Sequence, residues 1–275
     1  MATRPTIQGR SKKCEGVQGG EVRSPQATDG YRHCLPAEKL EPKTPGEMKE
    51  FNPRLDVLPP AQLRLWSELS SVPEDLVLYG GTALALHLGH RTSVNFDFFS
   101  RQSLDVDSLQ AGIPFPAEAR ILQREKNTLS AIVARGEPVM ISFFGVPKLP
   151  TLAPPHIVKA NNMRVASIID LAGTEASVVQ VRAEAKDYLD IDALMRLGNI
   201  SLPSALAAAQ MLYGPGFNPE ITLKALSYFD DGNLRDLPDE LKQRLAGAAR
   251  EVDLDRLPGL DRGTRVIDND NGHEL

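Results

Sequence analysis

Asn95 and Asp97 stand two residues apart, a short way after the turn Gly80-Gly81-Thr82. If residues 94–99 are extended, both oxygen-bearing side chains point to one sheet face while Phe96 and Phe98 point to the other. The two glycines allow a sharp turn and a close backbone approach to a ligand. A helix opening at Thr82 would aim its free N–H groups and its dipole at that turn, which suits a phosphate. Paired oxygen ligands beside such a turn are what magnesium-dependent phosphoryl transfer requires. The ion neutralises charge on the transferred phosphate and activates the attacking hydroxyl. Each piece alone has a plainer reading, since any strand–turn–helix can carry two glycines; it is their order that points to chemistry.

The elements that must position these residues follow from local patterning. Residues 60–70 place leucines and Trp66 at helical spacing, with proline in the first turn. Residues 76–79 read as a short strand, 82–88 as a helix, and 94–99 as a strand because they alternate and are aromatic. Residues 129–134 and 139–144 are further strands, with Gly136 and Pro138 between them suggesting a hairpin. Ser167, followed by Asp170, opens a long helix expected to run to about Leu197, where Gly198-Asn199 ends it. Three more helices are expected at 201–213, 219–229 and 238–252. Phe96, Phe98, Phe99, Phe143 and Phe144 are read as core rather than as a base-stacking platform, because they alternate within strands. His87 and His90 are expected to cap or line a helix end, and His156 has no assigned role.

Composition narrows the class. With 275 residues and 41% apolar content the chain can bury a real core. A net charge of -5 gives no reason to expect a surface that coats nucleic acid, although a local basic groove remains compatible with it. The two cysteines, Cys14 and Cys34, lie in a Pro- and Gly-rich segment, which argues against a disulfide scaffold and fits a reducing cytoplasm. With His33 they match no closed four-ligand zinc pattern. No stretch approaches the ~20 apolar residues of a membrane span, and no apolar signal core opens the chain. Residues 1–50 are expected to be a disordered leader, and Met48 is a candidate native start. The intact mass of the endogenous protein tests that start, and a mass that includes residues 1–47 excludes it.

The run GGTALALHLGHRTSVNFDFF resembles the signature of the AbiEii/AbiGii toxin nucleotidyltransferases of the polymerase-β-like superfamily. Their pattern is a Gly-Gly-Ser/Thr turn followed by Arg-x-Ser-x-Asp-x-Asp. Arg91, Ser93 and Asp97 match it, while Asn95 replaces the first aspartate. VMISFFG is similar to the family's third core strand, where Ser142 and its neighbours supply no third carboxylate. VASIIDLAGTEASVVQVRAEAKDYLDIDALM is similar to its long helix: Arg182, Lys186, Asp187 and Asp190 match, while Glu175 replaces a lysine. The similarity spans roughly residues 50 to 255.

The resemblance implies an α+β fold, a small mixed-sheet nucleotidyltransferase core with a C-terminal helical bundle. Its parts would be a leader (1–50), the core (51–160), a helical domain (161–255) and a polar tail (256–275). It implies transfer of a nucleotide from an NTP to an RNA (tRNA) or protein acceptor, in the cytoplasm, by the toxin of an abortive-infection toxin–antitoxin system. The implied partner is a separately encoded winged-helix antitoxin. Asp97, Asn95, Lys186 and Asp190 would be catalytic, and Gly80, Gly81, Thr82, Arg91, Ser93 and Arg182 would bind the nucleotide. Asp97 and Asn95 would hold Mg2+ in a weak site, since asparagine lacks the charge on which magnesium depends. On one continuous helix, at 100° per residue, Glu175, Arg182 and Lys186 fall within ~40° of each other, with Asp190 a further ~40° round. Such a stripe faces either solvent as ion pairs or a site in which Lys186 and Arg182 contact the triphosphate. Asp190 would orient the acceptor or a basic side chain, and Glu175 would neutralise Arg182 and repel a triphosphate. Asn95 and Glu175 also admit a second reading, a catalytically degenerate member that binds a nucleotide or a protein.

Overall fold

A computed structural model describes residues 48–113 and 119–260, all within one unit, Lys43–Leu275. Its centre is an eight-stranded mixed sheet whose strands are β1 (Glu50–Phe51), β2 (Leu76–Tyr79), β3 (Asn95–Ser100), β4 (Arg120–Glu125), β5 (Thr128–Ala134), β6 (Pro138–Gly145), β7 (His156–Val158) and β8 (Arg164–Val165). They lie in the order β1-β7-β8-β2-β3-β6-β5-β4. The helices are α1 (Pro60–Trp66), α2 (Gly80–Leu88), α3 (Val106–Gly112), α4 (Ile168–Val178), α5 (Ala185–Arg196), α6 (Leu202–Tyr213), α7 (Pro219–Ala225) and α8 (Asp239–Glu251). The fold is α+β, as the resemblance implies.

The strands nearest the expected chemistry form for simple reasons. β2 is a short apolar run, and it pairs antiparallel with β3 so that Tyr79 lies across from Asp97. β3 in turn pairs parallel with β6, which places Ser142 on the other side of Asp97. β5 and β6 form the expected hairpin, closed through Gly136 at φ +88°. Along β3 burial alternates residue by residue, with Phe96 and Phe98 fully sealed against the α1 side, where Trp66 meets Phe96. The predicted two-face arrangement of this strand is therefore present.

The expected long helix from Ser167 to Leu197 is a correction. The chain forms α4 and α5 instead, joined by a turn over residues 179–184. Val178, Val179 and Val181 are β-branched and crowd a helical backbone, and tertiary partners satisfy the groups that the break releases. Gln180 donates to the Asn218 carbonyl and to Thr222, and the Ala185 N–H donates to Asn233 Oδ1. Ser167 does cap α4, accepting from the Asp170 N–H at 3.2 Å. The buried Asp170 carboxylate accepts from the Ser167 hydroxyl and from the Leu152 and Ala153 N–H groups.

Three expected helices are present as α6, α7 and α8, with α7 ending at Ala225 rather than near Phe229. In α8 the buried Leu241, Leu245 and Ala249 recur every four residues on its inner face. Strands β1, β4, β7 and β8 were not expected, and Glu50, assigned to the leader, begins β1. One continuous apolar core links the sheet with the helices that follow it. No helix among the described residues is long and apolar enough to cross a membrane. Cys14, His33, Cys34, the leader up to residue 47 and the tail from residue 261 lie outside the described residues.

Candidate nucleotide-transfer site

Gly80 leaves β2 at φ +69°, a backbone conformation that costs an L side chain, and opens α2. A Cβ at Gly80 would stand 3.7 Å from Asp97 Oδ2. One at Gly81 would overlap the Arg91 guanidinium and lie 3.3 Å from Asp190 Oδ2. Gly80 is thus required by its positive φ, and Gly81 because Arg91 and Asp190 crowd it. The α2 N-terminus meets the acidic strand and the basic loop at one point.

Thr82 and Ser93 tie this junction together. Their hydroxyls are 2.7 Å apart, and Thr82 also donates to the Asn95 carbonyl. Both residues are buried, so as they stand these hydroxyls fix the start of β3. Asn95 and Asp97 are half-buried on the sheet face opposite Phe96 and Phe98. Burial pushes the Asp97 carboxyl above the ordinary aspartate value, while a hydrogen bond from Ser142 and the charges of Arg182 and Lys186 pull it back. Arg182, in the α4–α5 turn, and Lys186, in the first turn of α5, thus lie within electrostatic range of Asp97.

Behind the turn lies a second layer of charge. Arg91 grips Asp190 with two N–H groups, Nε at 2.6 Å and an Nη at 2.5 Å, and His90 Nε2 is 2.6 Å from the same carboxylate. Arg182 grips Asp187 the same way, at 2.8 Å twice. Glu175 completes the group, since its carboxylate and those of Asp187 and Asp190 have oxygens within 4.8 Å of one another. All three acids are buried. Burial, then repulsion by Asp190 and Asp187, pushes the Glu175 carboxyl up to about 8. Glu175 therefore favours its protonated form near neutral pH, beside two aspartates that arginines already grip.

This arrangement revises the expected stripe. Arg182, Lys186 and Glu175 do converge, yet across a turn between two helices rather than along one. Arg182 is neutralised by Asp187, not by Glu175, and an uncharged Glu175 does not repel a triphosphate. Asp190 orients a basic side chain, Arg91, as one of its two expected roles required. Lys186 sits at the entrance, 2.6 Å from the half-exposed Glu184. His87 lines the end of α2, with Nε2 2.9 Å from the Ala166 carbonyl. His90 does more than cap: it joins the Asp190 cluster with its Nδ1 buried and without a hydrogen-bond partner.

The family model described as "Nucleotidyl transferase AbiEii toxin, Type IV TA system" matches residues 64–262. The chain belongs to the AbiEii nucleotidyltransferase toxin family. An uncharacterized protein of Aquifex aeolicus is 30% identical over 159 residues, which cover 57% of this chain and 75% of that one. Among solved structures, MenT4, a nucleotidyltransferase toxin from Mycobacterium tuberculosis, is similar in fold at 16% identity. The superposition has a TM-score of 0.51 and covers 71% of this chain and 83% of MenT4.

In this AbiEii protein two places have the donors for a divalent cation. Asp97 with Asn95 offers one charged and one neutral oxygen on the open face of the sheet. That set suits a magnesium ion that takes most of its ligands from water and phosphate. The Glu175–Asp187–Asp190 group offers more carboxylates, but two of them are already engaged by arginines and the third keeps its proton.

Proposed function

We propose that this AbiEii-family protein transfers a nucleotide from an NTP to an RNA acceptor, tRNA in the first instance, with Mg2+ held at Asp97 and Asn95. The observation that carries the reading is Asp97 beside the Gly80 end of α2, within electrostatic range of the cations Arg182 and Lys186. A triphosphate needs that combination: N–H groups and cations for its oxygens, and an acid beside the phosphorus that is attacked. Bound magnesium would supply charge neutralisation and an activated acceptor hydroxyl. The chain's own part is positional. Ser142 favours the ionised form of Asp97, Arg91 is held against Gly81 by Asp190, and Lys186 can swing from Glu184 to a phosphate because that ion pair is half in water.

A second reading is favoured by a specific observation. Asn95 brings no charge, and Arg91 and Arg182 each spend two N–H groups on a buried aspartate. A nucleotide-binding module without transfer would tolerate both. In either case we propose a cytoplasmic protein controlled by a separately encoded winged-helix antitoxin, as the family's toxin–antitoxin character suggests. Incubation with each α-labelled NTP, Mg2+, total tRNA and total protein tests the transfer reading. Label on tRNA supports it, label on protein moves the acceptor class, and label on neither from any NTP, despite measurable NTP binding, supports the binding module.

A further inference from the structure

The sheet face that carries Asp97 also carries aromatic side chains that are less deeply buried than those on the opposite face. Phe99 follows Asp97 by two residues on β3, so both side chains stand on one face, about 7 Å apart along the strand. Phe144 lies directly across from Phe99 on β6, with ring centroids 5.1 Å apart and planes 36° from parallel. Tyr79, beside the glycine turn, meets Phe99 edge-on at 5.2 Å. Phe96, Phe98 and Phe143, on the opposite face of the same two strands, are completely buried. Phe99 and Phe144 are only half-buried. The loop leaving β3 passes the opposite face. Its Leu104 N–H and Gln102 carbonyl lie 2.7 and 2.9 Å from where a Cβ on Gly145 would stand, and Gly145, next to Phe144, faces the other way. Of the five phenylalanines expected in the core, Phe96, Phe98 and Phe143 are sealed within it, Phe99 packs against it while partly exposed, and Phe144 is partly buried.

We propose that Phe99 and Phe144 form a shelf on which the base of the NTP stacks, with its triphosphate reaching back along the sheet face to Asp97 and the Gly80-Gly81 turn. The inference rests on the NTP reading above and adds the end of the nucleotide that reading leaves unplaced. The two-residue step from Phe99 to Asp97 is comparable to the reach of a ribose between base and phosphate. Aromatic rings stack with any base through its π face and read no edge. Val77 and Thr128, across from Phe99 and Phe144 respectively, add neither carboxylate nor amide. The shelf therefore selects weakly among bases and favours purines for their larger face.

Calorimetric titration of the full chain with Mg-ATP and, separately, with Mg-tripolyphosphate tests the shelf. Phe144→Leu and the double variant Phe99→Leu/Phe144→Leu keep apolar bulk and remove the rings, and thermal unfolding checks that they fold. The double variant is expected to lose about tenfold or more in ATP affinity and to keep the wild-type affinity for tripolyphosphate. Unchanged ATP affinity overturns the shelf, and so does a parallel loss of both ligands. A wild type that binds tripolyphosphate as tightly as ATP overturns the shelf alone. A wild type that binds neither overturns the NTP reading and the shelf with it.

Discussion

Glu175 stands where the family pattern has lysine, and its surroundings decide what that exchange does. It sits between Asp187 and Asp190 with no solvent to share the charge, so it keeps its proton up to about pH 8. The ordinary glutamate value is 4.5, so the folded state retains a proton that the unfolded chain gives up between these limits. The stabilisation is full below the lower value and falls as pH rises to the upper one. Glu175→Gln, neutral at every pH, should flatten that fall and be the more stable protein at pH 9, by at least about 1 kcal/mol. Urea unfolding at pH 6 and pH 9 measures it, and an unaltered pH slope in the variant would count against a protonated Glu175. The exchange itself was legible in the sequence, but its effect was not. Repulsion of a triphosphate follows from the residue type, whereas the protonated state follows from burial beside two acids on another helix, which spacing along one chain segment does not reveal.

At the scale of elements, the junction of α2, β3 and α5 is held by charges that cannot be removed singly. Arg91→Ala leaves the Asp190 carboxylate, 1% exposed, without its two-pronged partner. Such a loss costs about 3–5 kcal/mol, so the variant should unfold at markedly lower urea, and a shift within error would show that His90 alone suffices. Ser167→Ala removes the cap of α4 and should cost about 1 kcal/mol; a neutral result would show that Asp170 alone holds that end. The turn, β2, β3 and the β5–β6 hairpin were readable because glycine, alternation and β-branched content act over a few residues. β4 was not, since its side chains are all exposed and show no buried face. β7 and β8 are too short for a period, and the break between α4 and α5 has neither proline nor glycine to announce it. It is set by Asn218, Thr222 and Asn233, which come from later in the chain.

For the molecule as a whole, the sheet provides one working face and the helices after β8 bring the cations to it. The family's sequence motif spreads over β2, β3, α4 and α5, and only the assembled core brings Gly81, Asp97, Arg182 and Lys186 together. That explains why the order of motif pieces pointed to the fold class while their mutual contacts had to come from the folded chain. The central claim is that Asp97 is the acid on which transfer depends and that Asn95 limits it by withholding a second charge. The most direct measurement is the initial rate of label transfer from α-labelled NTP to tRNA at limiting Mg2+, in the wild type, Asp97→Ala and Asn95→Asp. We expect Asp97→Ala to fall at least about a hundredfold and Asn95→Asp to exceed the wild type and need less Mg2+ for half-maximal rate. Transfer that survives Asp97→Ala undiminished would place the chemistry elsewhere and contradict the account.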